Sequence, residues 1–389
     1  MKKSSNKTRH ILILATLLGL LICADVAYRQ IVFSQPSRDS GLAATPSIES
    51  LTQRANLFLE DSDWQRATEY FNRVLDIDPE FAPAYIGLLC AELNVSNEKL
   101  LGDLAVPISE QRNFQRAIRF ADATYKTKIE YYDIKIRERI QKEDGNRRAG
   151  DRMVLDINGV EYSFRWCPPG TFMMGSPVEE EGRAGDETLH QVTLSLGYWM
   201  LETEVTGEMW RGVMGNSSSI GREQKLPVSM VNWSACQVYI GRLNDMGIAP
   251  SGYKFSLPTE AQWEYACRAG TTTAYYFGDT LASQQAHVAG TANGVRTREV
   301  GSFPANAWGL HDMHGSVWEW CLDWYGIYPN GNVTDPQGAS TGSARVLRGG
   351  TYWSSDETSC RSAKRNGDSS SMRNNYFARI GFRIALVRD

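Results

Sequence analysis

Two acidic residues stand at either end of a short glycine-containing loop, within the stretch from Trp308 to Trp320 (WGLHDMHGSVWEW). Asp312 and Glu319 are spaced so that main-chain carbonyl groups between them could share a hard cation with the two carboxylates. Calcium accepts about six to eight oxygen ligands in irregular geometry, so a loop without regular secondary structure suits it. The spacing indicates a candidate calcium site, and the alternative is a solvated acidic turn.

Two histidines flank the aspartate and suggest a transition-metal site. His311, His314 and Asp312 would supply two imidazoles and a carboxylate, a set that binds non-haem iron. All three lie within four residues of one tight loop, and such neighbours rarely point at a single centre. We therefore expect both histidines to be surface groups or to support nearby residues.

One of the seven cysteines is a candidate for thiol chemistry. Cys360 lies next to Arg361 and close to Arg365 in the sequence, and nearby positive charge lowers a thiol pKa. The alternative, which we favour, is a small buried residue or half of a disulfide. No two cysteines form a Cys-x-x-Cys pair, which excludes zinc-ribbon and thioredoxin-like sites.

The composition excludes other functional classes. The formal net charge of −4 gives no reason to expect a nucleic-acid partner. No P-loop pattern occurs. The 11 Trp and 34 Gly residues, concentrated after Gly150, predict an irregular, loop-rich fold in which large rings fill the core.

The N-terminus has the pattern of a targeting segment, with basic residues before an apolar run from Ile11 to Ala24. We predict that residues 1–33 form an uncleaved membrane anchor, because the residues before Ala24 make a poor cleavage site. The basic flank should stay cytoplasmic, which places the body outside, in the periplasm or at the cell surface if the source is bacterial. A cleaved signal peptide is the alternative.

Residues 34–47 are rich in Ser, Pro and Ala and are predicted to be a linker. Helical periodicity follows over residues 48–142. The segment DWQRATEYFNRVLDIDPEFAPAYIGLL (63–89) resembles a tetratricopeptide repeat, and a weaker unit follows from Asn113 to Ile140. The segment is interpreted either as a protein-binding surface or as a spacer that holds the rest of the chain off the membrane.

Local signals also predict short elements after the polar boundary at residues 143–151. A hairpin turn is expected at Asn158-Gly159, and helices are expected to start after the caps Thr206, Asn232 and Thr259. Strands are expected at 154–156, 162–166, 345–347 and 382–386.

Seven further motifs surround the stretch that contains Asp312 and Glu319. They are WCPPGTFMMGS (166–176), LETEVTGEMW (201–210), PVSMVNWSACQVYIGRLN (227–244), LPTEAQWEYACRAG (257–270), RVLRGGTYW (345–353), CRSAKR (360–365) and IGFRIAL (380–386). In this order they resemble the sulfatase-modifying-factor family, whose members include formylglycine-generating enzymes. The resemblance runs from about Val154 to Val387 and defines a domain at residues 152–389.

The resemblance implies an α+β, C-type-lectin-like formylglycine-generating-enzyme fold with little regular secondary structure. The N-terminal membrane helix and the short α-helical repeat segment would precede it. The resemblance further implies that calcium is held by the side chains of Asp312 and Glu319 and by the main-chain oxygens of Gly315 and Val317.

A second calcium site of the family would fall between residues 285 and 303. His287 and Val288 stand where an Asn-led pair is expected, and residues 296–298 (Arg-Thr-Arg) stand near an expected acidic ligand. Imidazole and guanidinium are poor calcium ligands. We therefore do not expect the second site to be occupied.

The family's oxidases carry two cysteines, about five residues apart, just beyond the Gly-Gly pair, and these bind copper(I) as thiolates. Here Ser354 stands at the first position, and Ser359 or Glu357 stands at the second. A hydroxyl neither binds copper(I) as a thiolate does nor forms a mixed disulfide. We therefore expect no copper and no formylglycine generation by this route.

Two main functional hypotheses remain, beside that of a purely structural envelope component recruited through the helical repeats. The first is an exported, membrane-tethered scaffold that is stabilised by calcium and binds a protein, peptide or glycan. The second is an oxidase or protein-modifying enzyme of the same family with a rearranged site, using Cys360 or iron.

Overall fold

The structure is a computed structural model that describes residues 46–215, 223–282, 284–286, 297–354, 356–368 and 379–389. The predicted anchor at residues 1–33 and most of the predicted linker lie outside these ranges. Among the described residues, no helix is both long enough and apolar enough to cross a bilayer.

The first part of the described chain is helical. Its elements are α1 (Ile48–Glu60), α2 (Trp64–Ile77), α3 (Ala82–Glu92), a 3-10 turn (Glu98–Asp103), α4 (Arg112–Phe120) and α5 (Ala123–Gly145). The side chains of Ser47, Asp63 and Asp122 cap α1, α2 and α5 by accepting hydrogen bonds from main-chain N–H groups of the first turn.

Small residues let these helices pack closely. Ala67 of α2 is fully buried, and the ring of Phe71 lies where a side chain of Gly87 would be, with only 2.1 Å from its nearest ring atom to an added Cβ. The helical segment thus has its own apolar core. That it is a tetratricopeptide repeat stays a prediction.

The remainder mixes short strands and helices, as the sequence predicts. The strands are β1 (Arg152–Ile157), β2 (Val160–Cys167), β3 (Gly170–Met174), β4 (His190–Leu194), β5 (Tyr198–Leu201), β6 (Tyr253–Ser256), β7 (Trp318–Trp324), β8 (Val333–Thr334), β9 (Arg345–Arg348), β10 (Arg365–Asp368), β11 (Ile380–Gly381) and β12 (Ala385–Arg388). The helices are α6 (Gly207–Met214), α7 (Trp233–Asp245), α8 (Glu260–Arg268) and a 3-10 turn (Glu357–Cys360).

The described strands form three sheets. The largest has the order β1-β2-β5-β12-β6, and β12 is antiparallel to both of its neighbours. A four-stranded sheet has the order β10-β9-β7-β11, and a three-stranded sheet has the order β3-β4-β8. One apolar core lies between the largest sheet and the helices α6 and α7, and a second contains residues of α8 and of the three-stranded sheet.

Most of the local predictions are confirmed. The Asn158-Gly159 turn joins β1 to β2, and Thr206, Asn232 and Thr259 cap their helices. The predicted strand at 382–386 is wrong in its extent, because β11 ends at Gly381 and β12 begins at Ala385. Residues 382–384 pass instead from the four-stranded to the five-stranded sheet.

Buried charges join the helical segment to the sheet domain. Asp144 near the end of α5 accepts hydrogen bonds from Arg147 at 2.9 Å and from Arg388 of β12 at 2.7 Å. Arg388 also pairs with the more exposed Glu143. The last turn of α5 is therefore fixed by its charges to the end of β12 in the largest sheet.

Candidate functional site

The turn after β9 has a conformation that favours glycine. Gly349 and Gly350 have φ angles of +93° and +78°, a region that residues with a Cβ rarely adopt. A Cβ on Gly350 would lie 2.4 Å from the Sγ atom of Cys360. The glycine pair therefore allows the 3-10 turn at Glu357–Cys360 to approach the main chain of the turn.

Ser354 and Cys360 meet under this turn. The Ser354 hydroxyl accepts a hydrogen bond from the Thr351 N–H at 3.3 Å and also lies against the thiol of Cys360. Cys360 is fully buried, and burial raises the pKa of its thiol to about 12. The thiol is therefore protonated at neutral pH and is a poor nucleophile.

The two nearby arginines do not activate this thiol. Arg361 pairs with Glu180 and Glu187, and Arg365 pairs with Glu260. The expected lowering of the Cys360 pKa is wrong, because burial raises this pKa and the two guanidinium groups are held by carboxylates.

No second thiol accompanies Cys360 in the described part of the chain. Its buried apolar cluster consists of Ala274, Tyr275, Leu281 and Ala286. Neither candidate for the second cysteine position supplies a thiol. The main-chain carbonyl of Ser359 packs against Gly350, and Glu357 is exposed. All six described cysteines are buried and free of disulfides.

The loop that begins at Asp312 is held in a left-handed conformation. Asp312, Gly315 and Ser316 have φ angles of +57°, +88° and +59°. The Gly315 N–H donates to the Gly349 carbonyl at 2.7 Å. A main-chain hydrogen bond therefore joins the candidate calcium loop directly to the Gly-Gly turn.

Glu319 is fully engaged inside the core. Arg383 donates from Nε to Oε2 and from Nη2 to Oε1, at 2.7 Å each, and the indole of Trp263 donates to Oε2 at 2.8 Å. A two-pronged guanidinium pair of this kind fixes the plane of the carboxylate. Oε1 retains a lone pair for a cation, whereas Oε2 already accepts two hydrogen bonds.

Glu204 adds a third carboxylate to this buried cluster. It is fully buried, and neither of its carboxylate oxygens accepts a hydrogen bond of ordinary geometry, although the Ser316 side chain lies nearby. Burial and then the Asp312 carboxylate raise the pKa of Glu204, and burial also raises the pKa of Asp312. Three carboxylates thus face the single guanidinium of Arg383.

The oxygens of this cluster are of the kind that calcium prefers, but the three carboxylates alone do not converge into a metal-binding group. An orphaned carboxylate beside Asp312 and the hard oxygens of the loop are ligands that calcium prefers. Among the described residues, no three His, Cys, Asp or Glu side chains form a metal-binding group. The main-chain oxygens of Gly315 and Val317 would therefore have to complete the ligand set.

The two loop histidines do not share a centre. His311 Nδ1 bonds the Phe303 carbonyl at 2.7 Å. His314 Nδ1 donates to the Cys360 carbonyl at 2.7 Å, and its Nε2 accepts the Tyr276 N–H at 3.1 Å. Burial lowers the pKa of His314 to about 3. Both nitrogens of His314 are therefore occupied in its neutral form.

An acidic cavity of about 530 Å³ opens beside the Glu357–Cys360 turn. Its wall carries five exposed carboxylates, which belong to Glu179, Glu181, Asp279, Asp356 and Glu357. The one arginine of the wall is already paired with two glutamates. The cavity therefore has a strongly negative rim and is suited to a positively charged ligand.

Sequence reasoning missed Glu204 and Arg383 as members of the site. Both lie inside recognised motifs, LETEVTGEMW and IGFRIAL, but nothing in their spacing indicates that they meet Glu319. Of the second calcium site, His287, Val288 and Arg296 lie outside the described residues.

Comparisons with known proteins agree with the motifs. The family model of the sulfatase-modifying factor enzyme 1-like domain matches residues 163–388. The formylglycine-generating enzyme of Streptomyces coelicolor is 34% identical over 200 residues, which are 48% of this chain and 60% of that protein. The serine/threonine-protein kinase pkn1 of Chlamydia caviae is 40% identical over 135 residues, or 33% of this chain and 20% of that protein. The chain thus spans less than two thirds of either relative.

Two solved structures share the fold of the C-terminal domain. Variable protein 1 of Treponema denticola superposes with a TM-score of 0.52 and 27% identity, over 60% of this chain and 98% of that one. PvdO of Pseudomonas aeruginosa superposes with a TM-score of 0.53 and 25% identity, over 62% of this chain and 99% of that one.

Proposed function

The chain belongs to the family of sulfatase-modifying factor enzyme 1-like domains, and we propose that it is a membrane-tethered, extracytoplasmic binding protein without the family's copper chemistry. In this proposal the domain is stabilised by calcium and binds a protein or peptide partner.

One observation carries the loss of copper chemistry. At the first of the two cysteine positions, the hydroxyl of Ser354 lies against the buried, protonated thiol of Cys360. Copper(I) in two-coordinate sites requires soft thiolate ligands, and a hydroxyl is a hard donor. Both positions of the pair therefore lack a thiol, and the neighbouring thiol of Cys360 is buried.

The test measures copper binding and oxygen consumption with the purified full chain. We expect no stoichiometric copper(I) and no oxygen uptake with a Cys-x-Pro-x-Arg peptide, both before and after Cys360→Ser. A Ser354→Cys variant serves as the comparison, since it restores a thiol at the first position. Oxidation of the peptide by the unmodified chain, abolished by Cys360→Ser, would instead establish a rearranged oxidase.

Calcium is proposed for the loop at Asp312. The buried excess of carboxylate over guanidinium supports it, because an uncompensated charge in the core is costly. We expect calorimetric titration to give one calcium per chain, with at least a tenfold loss of affinity in Asp312→Ala. The exposed Asp245→Asn variant is the control and should bind as the unmodified chain does. Equal affinity in all three proteins would reject this loop as the site.

The acidic cavity is the proposed binding surface for the partner. It lies beside the position of the lost thiol pair, and its five carboxylates favour a peptide that carries Lys or Arg. We expect a fluorescently labelled basic peptide to bind with an affinity that falls as ionic strength rises. Asp279→Asn with Glu357→Gln should weaken binding, whereas Asp245→Asn should not. Equal binding of an acidic peptide would contradict the proposal.

Tethering is proposed from residues 1–33 alone. Fractionation of cells that express the full chain should place it in the membrane, and an external protease should digest it in intact cells or spheroplasts. Protection of the body from that protease would reverse the proposed orientation.

A further inference from the structure

A second cavity, of about 340 Å³, lies between the start of α8 and the loop that follows β7. Its apolar wall includes Ile327, Pro329 and Val333, and its polar wall includes Asp323 and His190. The volume lies within the range of pockets that hold small ligands or single side chains. Nothing in the candidate site at Asp312 or Cys360 uses these residues.

Asp323 is a buried carboxylate that forms no direct ion pair within the described ranges, although Arg365 and Arg345 act on it electrostatically. It is 4% exposed, and its Oδ2 accepts the Glu260 N–H at 2.8 Å. No Lys, Arg or His of the described ranges forms an ion pair with it. The nearest guanidinium group in the cavity wall, that of Arg365, is already held by both oxygens of Glu260.

His190 offers a second acceptor. Its Nδ1 lies 2.9 Å from the Thr188 carbonyl oxygen. A carbonyl only accepts, so Nδ1 carries a proton, and Nε2 is the ring atom left to accept a hydrogen bond. The ring packs against Tyr328 with 4.8 Å between centroids, which fixes its orientation.

The guanidinium and phenol donors of the same wall are already used. Arg365 donates to Glu260 and to the carbonyls of Asp186 and Gly326, and the Tyr328 hydroxyl donates to Glu260. The cavity therefore presents acceptors and apolar surface, and the complementary ligand carries donors and positive charge on an apolar body.

We propose that this cavity binds a primary ammonium group on an apolar body, with the ammonium held between Asp323 and His190. The apolar part lies against Ile327 and Val333. The ammonium is supplied either by a lysine side chain of a protein partner or by a free amine. This inference does not depend on the proposed function at the acidic cavity.

The test is calorimetric titration of the full chain with 3-phenylpropylammonium and with its neutral counterpart 3-phenylpropanol. We expect saturable binding of one ammonium per chain and at least tenfold weaker binding of the alcohol. Asp323→Asn keeps the shape and the acceptor for the Glu260 N–H, and it should weaken ammonium binding at least tenfold. His190→Asn keeps a donor for Thr188 and should weaken it several-fold.

The control variant is Asp245→Asn, which removes an exposed carboxylate and should leave binding unchanged. Circular dichroism of each variant separates loss of binding from loss of folding, and His190→Asn remains informative if Asp323→Asn unfolds. A second titration uses acetyl-Gly-Lys-Gly-amide. Binding as tight as that of the free amine assigns the site to a lysine side chain, and weaker binding assigns it to a small amine. Absence of binding by both cations, or equal binding of the alcohol, overturns the proposal.

Discussion

At the scale of single residues, the described core is unusual for the charge that it buries. Arg348, Arg361 and Arg383 are all at most 1% exposed, and each faces a glutamate. Breaking such a pair leaves an uncompensated buried charge, which costs about 3–5 kcal/mol. Glu204 is the exception, because it has no partner of its own.

Glu204→Gln should therefore have opposite effects with and without calcium. In the presence of a chelator, removal of one of three clustered carboxylates relieves repulsion, and the melting temperature should rise. With calcium, the variant should gain less stability than the unmodified chain, because the site has lost charge. Differential scanning fluorimetry in both conditions checks this. If calcium raised the melting temperature of both proteins by the same amount, Glu204 would not contribute to calcium binding.

Asp323 gives a second residue-scale prediction, on pH. Burial raises the pKa of its carboxyl from 3.8 to about 7 in the folded chain. The folded state then binds more protons than the unfolded state between these values, so this group's contribution to stability falls as pH rises from 4 to 7. Asp323→Asn removes that dependence.

Urea unfolding at pH 5 and at pH 8 measures the effect. At about 1.4 kcal/mol per pKa unit, the unmodified chain should lose on the order of 3 kcal/mol relative to Asp323→Asn between these conditions. An identical difference between the two proteins at both pH values would contradict the raised pKa.

Sequence reasoning recovered Asp312 and Glu319 because both lie on one loop with a readable spacing. It missed Glu204, Arg383 and Asp323, because the groups that surround these residues come from distant parts of the chain. Arg383 and Glu319, for instance, are 64 residues apart. Burial and partners at such separations are set by the sheet order, which local periodicity does not reveal.

At the scale of elements, the Gly-Gly turn is the feature that depends most on one residue type. Gly350 and Gly159 both have a φ angle near +80°, but an added Cβ meets Cys360 at Gly350 and nothing within 4 Å at Gly159. The two positions therefore separate backbone strain from steric overlap.

Gly159→Ala should lower the free energy of unfolding by about 1 kcal/mol, from backbone strain alone. Gly350→Ala should lower the free energy of unfolding by this strain and by a further loss of about 1–3 kcal/mol, because the new methyl group overpacks the turn. Adding Cys360→Ala should restore part of this loss, because it removes the Sγ atom that the new methyl group meets. Chemical denaturation of the four proteins checks the order. Equal losses at the two glycines would show that the turn relaxes freely.

Helix starts were predictable where the signal is local. Thr259 and Gln262 exchange hydrogen bonds across three residues, and their types alone identify the cap. The strand expected at 382–386 was not predictable in its extent, because three of its residues cross between sheets. Local pattern shows that Phe382 and Ile384 are apolar, but not which sheet they join.

At the scale of the whole molecule, the helical segment and the sheet domain are joined through Asp144. Its side chain is buried between two arginines, whereas the adjacent Glu143 makes a half-exposed pair with one of them. The family assignment rests on the sheet domain, and the role of the helices remains a prediction.

Asp144→Asn should loosen the helical segment, because Arg147 and Arg388 lose their shared carboxylate. Limited proteolysis should then cut near residues 145–151 several times faster than in the unmodified chain. Glu143→Gln removes an exposed carboxylate from the same helix end and should change the rate little, since surface pairs contribute below about 1 kcal/mol. If both variants were cut at the same rate, the ion pairs of Asp144 would not be what holds the helical segment to the sheet domain.

The position of β12 inside the largest sheet governs when the domain can form during synthesis. Residues 385–388 separate β5 from β6 and supply the hydrogen bonds of both. In a ribosome-bound chain whose residues 385–388 have not yet emerged, β5 and β6 lack the strand that lies between them. We expect nascent chains stalled before Ala385 to remain protease-sensitive, and chains stalled on a linker added after Asp389 that is long enough to fill the exit tunnel to become resistant.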